Sequence, residues 1–116
     1  MEKLCMIYIT AFGKEEAEKI GEAIVTKRLA ACANVYDNIT SFYWWDDKMQ
    51  NGSEAVVILK TRESLFSEIT KEVRNIHSYA CPCIASIPLT RVSDDYAEWI
   101  LRETKIKLDD QNEQDG

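Results

Sequence analysis

The run Ser41-Phe42-Tyr43-Trp44-Trp45-Asp46-Asp47-Lys48 sets four consecutive aromatic side chains directly before an acidic pair. Aromatic and β-branched residues favour extended backbone, and the flanks agree. Val35 to Thr40 leans toward strand, and Ala55-Val56-Val57-Ile58-Leu59 is a β-branched run bounded by charge. Together they predict a long antiparallel hairpin with the aromatics near its tip. Two dipeptides compete for the turn. Asn51-Gly52 is the stronger general hairpin signal and would leave Tyr43 to Trp45 mid-strand. We place the tip at Asp46-Asp47 and read Asn51-Gly52 as a bulge, since bulges also favour glycine. A hairpin from Asn34 to Lys60 has arms of about 40 Å at roughly 3.3 Å per residue, longer than a core of this size covers. Adjacent strand side chains face opposite ways, so Trp44 and Trp45 cannot both enter one core. Phe42, Tyr43, Trp44 and Trp45 are therefore expected at an interface between copies of the chain. The competing expectation is that a loop or the C-terminal segment buries both tryptophans.

The rest of the chain supplies the partners of this hairpin. Leu4 to Ile9 is a continuous apolar run and predicts a central strand. Ala17, Ile20, Gly21 and Ile24 recur at helical spacing, predicting an amphipathic helix over 14–29 with Glu15 and Glu16 at its favourable N-terminal end. Ala30 to Val35 begins the second strand. Thr61 is the expected N-cap of a second helix whose apolar face is Leu65, Phe66, Ile69, Val73 and Ile76. Ile84 to Leu89 is a fourth strand, placed at an edge because Pro88 donates no ladder hydrogen bond. Ser93 with Asp94 and Asp95 caps a short third helix carrying Tyr96, Trp99, Ile100 and Leu101. The order is βαββαβ with an appended helix, the α+β ferredoxin-like pattern, in one domain over 1–104. The polar segment 105–116 reads as a disordered tail.

Composition narrows function by exclusion. A formal charge of −6 disfavours nucleic acid and anionic membrane surfaces, both of which reward positive charge. No apolar run reaches the ~20 residues a membrane span needs, and the N-terminus enters a strand pattern without a signal-peptide core, so the expected compartment is the cytoplasm. In that reducing setting Cys5, Cys32, Cys81 and Cys83 are expected as free thiols, with Cys5 and Cys32 buried among apolar neighbours.

Arg28-Leu29-Ala30-Ala31-Cys32-Ala33-Asn34-Val35, Ser41 to Trp45, Ile58-Leu59-Lys60-Thr61, His77-Ser78-Tyr79, Pro82, Ile87-Pro88-Leu89 and Tyr96 to Ile100 stand in an order and spacing that resembles the CutA family of divalent-cation tolerance proteins. The resemblance covers nearly all of residues 4 to 102. It implies a ferredoxin-like protomer in a tight homotrimer similar to the PII signalling proteins, with copper or another divalent metal as ligand. Departures fall at several places: the glycine common after the two tryptophans is Asp47 here, and another before the last helix is Val92. The family pattern H-P-Y-x-x-P-E becomes His77-Ser78-Tyr79-Ala80-Cys81-Pro82-Cys83, replacing a proline by Ser78 and a glutamate by Cys83. Of the residues linked to metal in the family, only His77 carries over; a strand-end cysteine linked to copper in some members corresponds to Ile9 here.

His77, Cys81 and Cys83 are the densest group of soft ligands in the chain, and imidazole with thiolates suits copper(I) or zinc. Cys32, Asp95 or a second subunit is the candidate source of a further ligand. The alternative is packing: two buried thiols around Pro82, with His77 over the last carbonyls of the second helix. No cofactor is required by either reading. An enzyme is disfavoured, since no phosphate-binding glycine loop, carboxylate dyad or serine–histidine grouping is present, and His77 with Cys81 is the sole nucleophile–base pair. A third class is a PII-like sensor binding a small anion or nucleotide between subunits, with Arg62, Arg74 and Arg91 as candidates.

Overall fold

A computed structural model describes residues 2–106. Four strands, β1 (Leu4–Ala11), β2 (Cys32–Trp45), β3 (Lys48–Arg62) and β4 (Ile84–Leu89), form one antiparallel sheet in the order β2-β3-β1-β4. With helices α1 (Lys14–Thr26) and α2 (Phe66–Ile76) as crossovers and α3 (Asp94–Glu103) appended, this is the expected ferredoxin-like topology. β1 lies inside the sheet and β4, carrying Pro88, at its edge.

Alternation along the strands separates two faces. Cys5, Ile7, Ile9 and Ala11 of β1 and Val57 and Leu59 of β3 are enclosed together with Ala17, Ile20 and Ile24 of α1 and Ile69 and Val73 of α2. Gly21 permits the close approach of α1, because a Cβ there would stand 3.1 Å from the Ala33 Cβ. The opposite face carries half-buried Met6, Tyr8 and Ile58, with Tyr36 and Ile87 exposed. At one end of that face sits α3, where the Arg62 guanidinium donates to the Leu101 carbonyl at 2.7 Å and to the Thr104 hydroxyl at 2.8 Å.

The hairpin tip is at Asp46-Asp47, with Trp45 paired to Lys48 and both aspartates at positive φ, 54° and 61°. This is the handedness that matches the twist of two antiparallel strands. The bulge is elsewhere than expected. Ser41 pairs with Gly52 and Phe42 with Asn51 without interruption, whereas Asp37 and Asn38 together stand opposite Ala55. Asn38 takes the left-handed conformation, φ 61°, which asparagine adopts more readily than most residues. Because β1 pairs with β3 only from Arg62 to Ala55, Ile39 to Trp45 and Lys48 to Glu54 project as a two-stranded ribbon. The longest dimension of the chain is 48 Å.

Three further boundaries differ. The first helix ends at Thr26, where Arg28 at φ 62° and a Leu29 amide bonded to the Ile24 carbonyl at 3.1 Å close a left-handed C-cap. Thr61 does not cap α2. It remains in β3, fully buried, and its hydroxyl donates to the Leu29 carbonyl at 2.5 Å, while a 3-10 turn at Glu63–Leu65 leads into α2. Pairing of β3 with β1 through Arg62 outweighs the local capping preference. Ser93 occupies the N-cap of α3 as expected, without a side-chain cap bond. Lys105, expected in the tail, is fixed by its amide to the Arg28 carbonyl at 2.9 Å; residues 107–116 of that tail lie outside the described residues.

Candidate functional site

The segment leaving α2 carries the residues singled out by the sequence. The His77 amide closes α2 on the Val73 carbonyl at 2.8 Å, and the backbone then turns extended. The imidazole is fully enclosed. Its Nε2 donates to the Thr10 carbonyl at 2.7 Å and its Nδ1 accepts the Tyr79 amide at 3.1 Å. This pair of bonds assigns the proton to Nε2 and commits the Nδ1 lone pair. Thr10 lies one residue past the end of β4, which starts at Ile84 opposite Ile9, so the imidazole supplies a donor where the sheet has none.

Two carboxylates fasten the same segment. Glu16 accepts the amides of Phe12 at 2.9 Å and Ser78 at 3.0 Å, with the His77 ring 3.7 Å away. Burial alone would raise this carboxyl, but the two amides and the Ser78 side chain outweigh it and hold Glu16 below the usual carboxylate range. Glu54 accepts the Tyr79 hydroxyl at 2.7 Å. Burial first, then the Glu54 bond and charge, push the Tyr79 phenol well above its ordinary range, so it stays a donor.

Beyond this clamp, Cys81 and Cys83 are exposed and line a cleft of about 500 Å³ with Thr10, Glu54, Tyr79 and the aromatics Tyr43 and Trp45 of the ribbon. Although the residue is exposed overall, partial desolvation of its sulfur raises the Cys83 thiol above its ordinary value, with a smaller push from the charge of Glu54 and a partial offset from the Thr10 amide. Within one chain the two thiols around Pro82 are exposed, not buried as the packing alternative expects. Cys32 is half-buried and stands on the far edge strand, separated from the Cys83 side by β3 and β1, so it is not gathered with the other two. Cys5 is enclosed in the core, where burial pushes its thiol up to about 11 and leaves it inert. Among the described residues, no three His, Cys, Asp or Glu side chains come together as a metal cluster, and the expected grouping of His77, Cys81, Cys83 and Cys32 is not assembled within one chain.

The arginines proposed for an anion cleft do not converge. Arg62 is 8% exposed and committed to α3, Arg91 lines a separate groove of about 910 Å³ between β4 and α3, and Arg74 is exposed near the end of α2. Phe42, Tyr43, Trp44 and Trp45 are all exposed, Trp44 at 75%, so no loop or C-terminal segment among the described residues covers them. Sequence reasoning did not single out Glu16, Glu54 or Thr10. Glu16 was visible as first-turn charge and Glu54 as the charge bounding the β3 run, but their partners are distant in sequence.

The sequence profile of the CutA1 divalent ion tolerance protein family matches residues 5–103. The Archaeoglobus fulgidus divalent-cation tolerance protein CutA is 45% identical over 94 residues, covering 81% of this chain and 91% of the relative. An Arabidopsis thaliana relative named as chloroplastic CutA is 38% identical over 100 residues, 86% of this chain and 55% of its own length. A solved structure described as the periplasmic divalent cation tolerance protein CutA from Archaeoglobus fulgidus superposes with a TM-score of 0.85 at 41% identity, covering 88% of this chain and 99% of that one. No helix among the described residues is long and apolar enough to cross a membrane. With its ferredoxin-like sheet, its aromatic ribbon and a match spanning nearly the whole described chain, the protein belongs to the CutA1 divalent ion tolerance family.

Proposed function

We propose that this protein serves metal tolerance as a homotrimer that binds copper or another soft or divalent ion at Cys81 and Cys83. The observation that carries the reading is the exposure of both thiols on one cleft, two residues apart. The donor set fits a soft ion, since thiolates select copper(I) and zinc over harder cations. His77 does not fit as a ligand in this arrangement, because both ring nitrogens already hold hydrogen bonds; its part is to position the loop. Cys32 is left out by its place across the sheet. When bound, the ion would supply charge and affinity for thiolate, and the chain would supply two sulfurs on a clamped loop beside an aromatic wall.

Assembly is supported by the ribbon and by the open sheet face. A two-stranded hairpin is marginal alone in water, and this one exposes Phe42, Tyr43, Trp44 and Trp45. The half-buried Met6, Tyr8 and Ile58 with exposed Tyr36 form an apolar surface that a second copy would cover. A closed three-fold ring covers such surfaces without leading to fibres. The reading assumes a reducing compartment, the cytoplasm, where the thiols are competent ligands. The proposed role is binding rather than catalysis: the His77 Nδ1 lone pair is engaged by the Tyr79 amide, and the Glu54 carboxylate that shares the cleft holds the Tyr79 hydroxyl. The alternative of a PII-like anion sensor is not favoured, given the internal commitment of Arg62.

Native mass spectrometry under reducing conditions, with copper and zinc titrated in turn, tests both parts. The expected result is a trimer retaining metal. A metal-free trimer at ion excess overturns the binding reading, and a monomer overturns the assembly.

A further inference from the structure

Cys81 and Cys83 are separated only by Pro82, open on one cleft and lie in the stretch before β4 begins at Ile84. Two residues of chain span at most about 7 Å between Cα atoms. That is the upper edge of the separation a disulfide bridges, about 4.4–6.8 Å, and any departure from full extension brings the pair inside it. The segment is also held at both ends. His77 on Thr10, the Ser78 amide on Glu16 and Tyr79 on Glu54 fix its start, and β4 fixes its end. The remaining thiols are no competitors, Cys5 being enclosed and Cys32 lying across the sheet.

We infer that Cys81 and Cys83 are a redox-active dithiol, an intrachain modification site that takes low-molecular-weight disulfides of the glutathione class as its oxidant. One cysteine, as thiolate, attacks a sulfur of the small disulfide; that S–S bond breaks, and the departing thiolate takes up the proton the cysteine lost. The second cysteine attacks the mixed disulfide, an intrachain S–S bond forms, and a second small thiol leaves with its proton. The protein gives up two electrons and two protons, and the small disulfide gains both. The functional consequence rests on the metal reading above. A disulfide sulfur is no longer an anionic ligand, so oxidation empties the proposed site and reduction restores it.

The test uses the full chain, reduced and then equilibrated with oxidised and reduced glutathione at graded ratios. Intact mass should fall by two hydrogens, and the loss should map to the tryptic peptide Asn75 to Arg91, which contains both cysteines. Excess reduced glutathione should reverse it. Cys81→Ser and Cys83→Ser should each retain one glutathionyl group, since the resolving thiol is gone. A bridge involving Cys5 or Cys32, two stable adducts on the wild-type peptide, or an unmodified dithiol at the most oxidising ratio overturns the inference. Copper and zinc stoichiometry measured on the two redox forms separates the readings. A bridge with no metal bound in either form refutes the metal reading alone, and metal bound to a dithiol that never bridges refutes this one alone.

Discussion

The His77 imidazole donates to the Thr10 carbonyl at 2.7 Å, replacing the donor that β4 would have supplied had it run one residue further. Since the side chain is fully enclosed, removing it leaves that carbonyl and the Tyr79 amide without partners. His77→Ala should therefore lower stability by about 1–3 kcal/mol. Denaturant unfolding should show a lower midpoint, while metal stoichiometry at saturation stays unchanged. Loss of metal with unaltered stability would make His77 a ligand after all.

Replacing Cys81 and Cys83 together by serine should remove copper(I) or zinc retention, because hydroxyls are poor ligands for soft ions. Both side chains are exposed, so the thermal midpoint should barely move. Native mass spectrometry of the double variant beside wild type decides it; equal stoichiometry would leave the pair without a metal role.

Glu16 predicts a pH effect with a definite sign. Its folded value lies below the ordinary one, so its contribution is fully present above the usual glutamate range, about 4.3, and is lost as pH falls through the depressed folded value. Unfolding free energy measured from pH 7 to 3 should decline in that window, and Glu16→Gln should flatten part of the decline. A Gln variant with the wild-type slope would remove Glu16 from the account.

Changing both Trp44 and Trp45 to alanine should yield monomers or aggregates at micromolar concentration, since buried aromatic anchors carry a large share of interface energy. Trp99→Ala, which loses stacking on Tyr96 at 5.4 Å, should instead lower stability with assembly intact. Light scattering discriminates, and a trimeric, equally heat-resistant double variant would reduce the ribbon aromatics to local packing.

Arg62→Met should loosen α3 from the sheet, because the guanidinium bonds to Leu101 and Thr104 help tie it to β3. The expected cost is about 2–3 kcal/mol. Amide exchange should accelerate in α3 before the rest of the chain; uniform acceleration would mean that α3 does not open separately.

The sequence by itself determined the elements whose causes are local. The apolar run of β1, the helical spacing of α1 and α2, the edge position of the strand with Pro88 and the turn at Asp46-Asp47 follow from periodicity and backbone preference within a few residues. So did the family, through motifs spread along the chain. Local preference failed where a distant partner competed. Asn51-Gly52 has the chemistry of an irregularity yet pairs regularly, while Asp37-Asn38, poor strand formers facing Ala55, took the bulge. Thr61 has the chemistry of a cap, but β1 holds it in the sheet. The site divides along the same line. Cys81 and Cys83 share a cleft because two residues of chain keep them together. Whether His77 binds a metal or a carbonyl depended on Thr10, sixty-seven residues away, and Cys32 left the group because the sheet order sets two strands between it and β4. Only the tertiary structure decided these pairings, because the energy of a hydrogen bond or a strand contact depends on which groups meet, and sequence proximity governs that only over a turn or two.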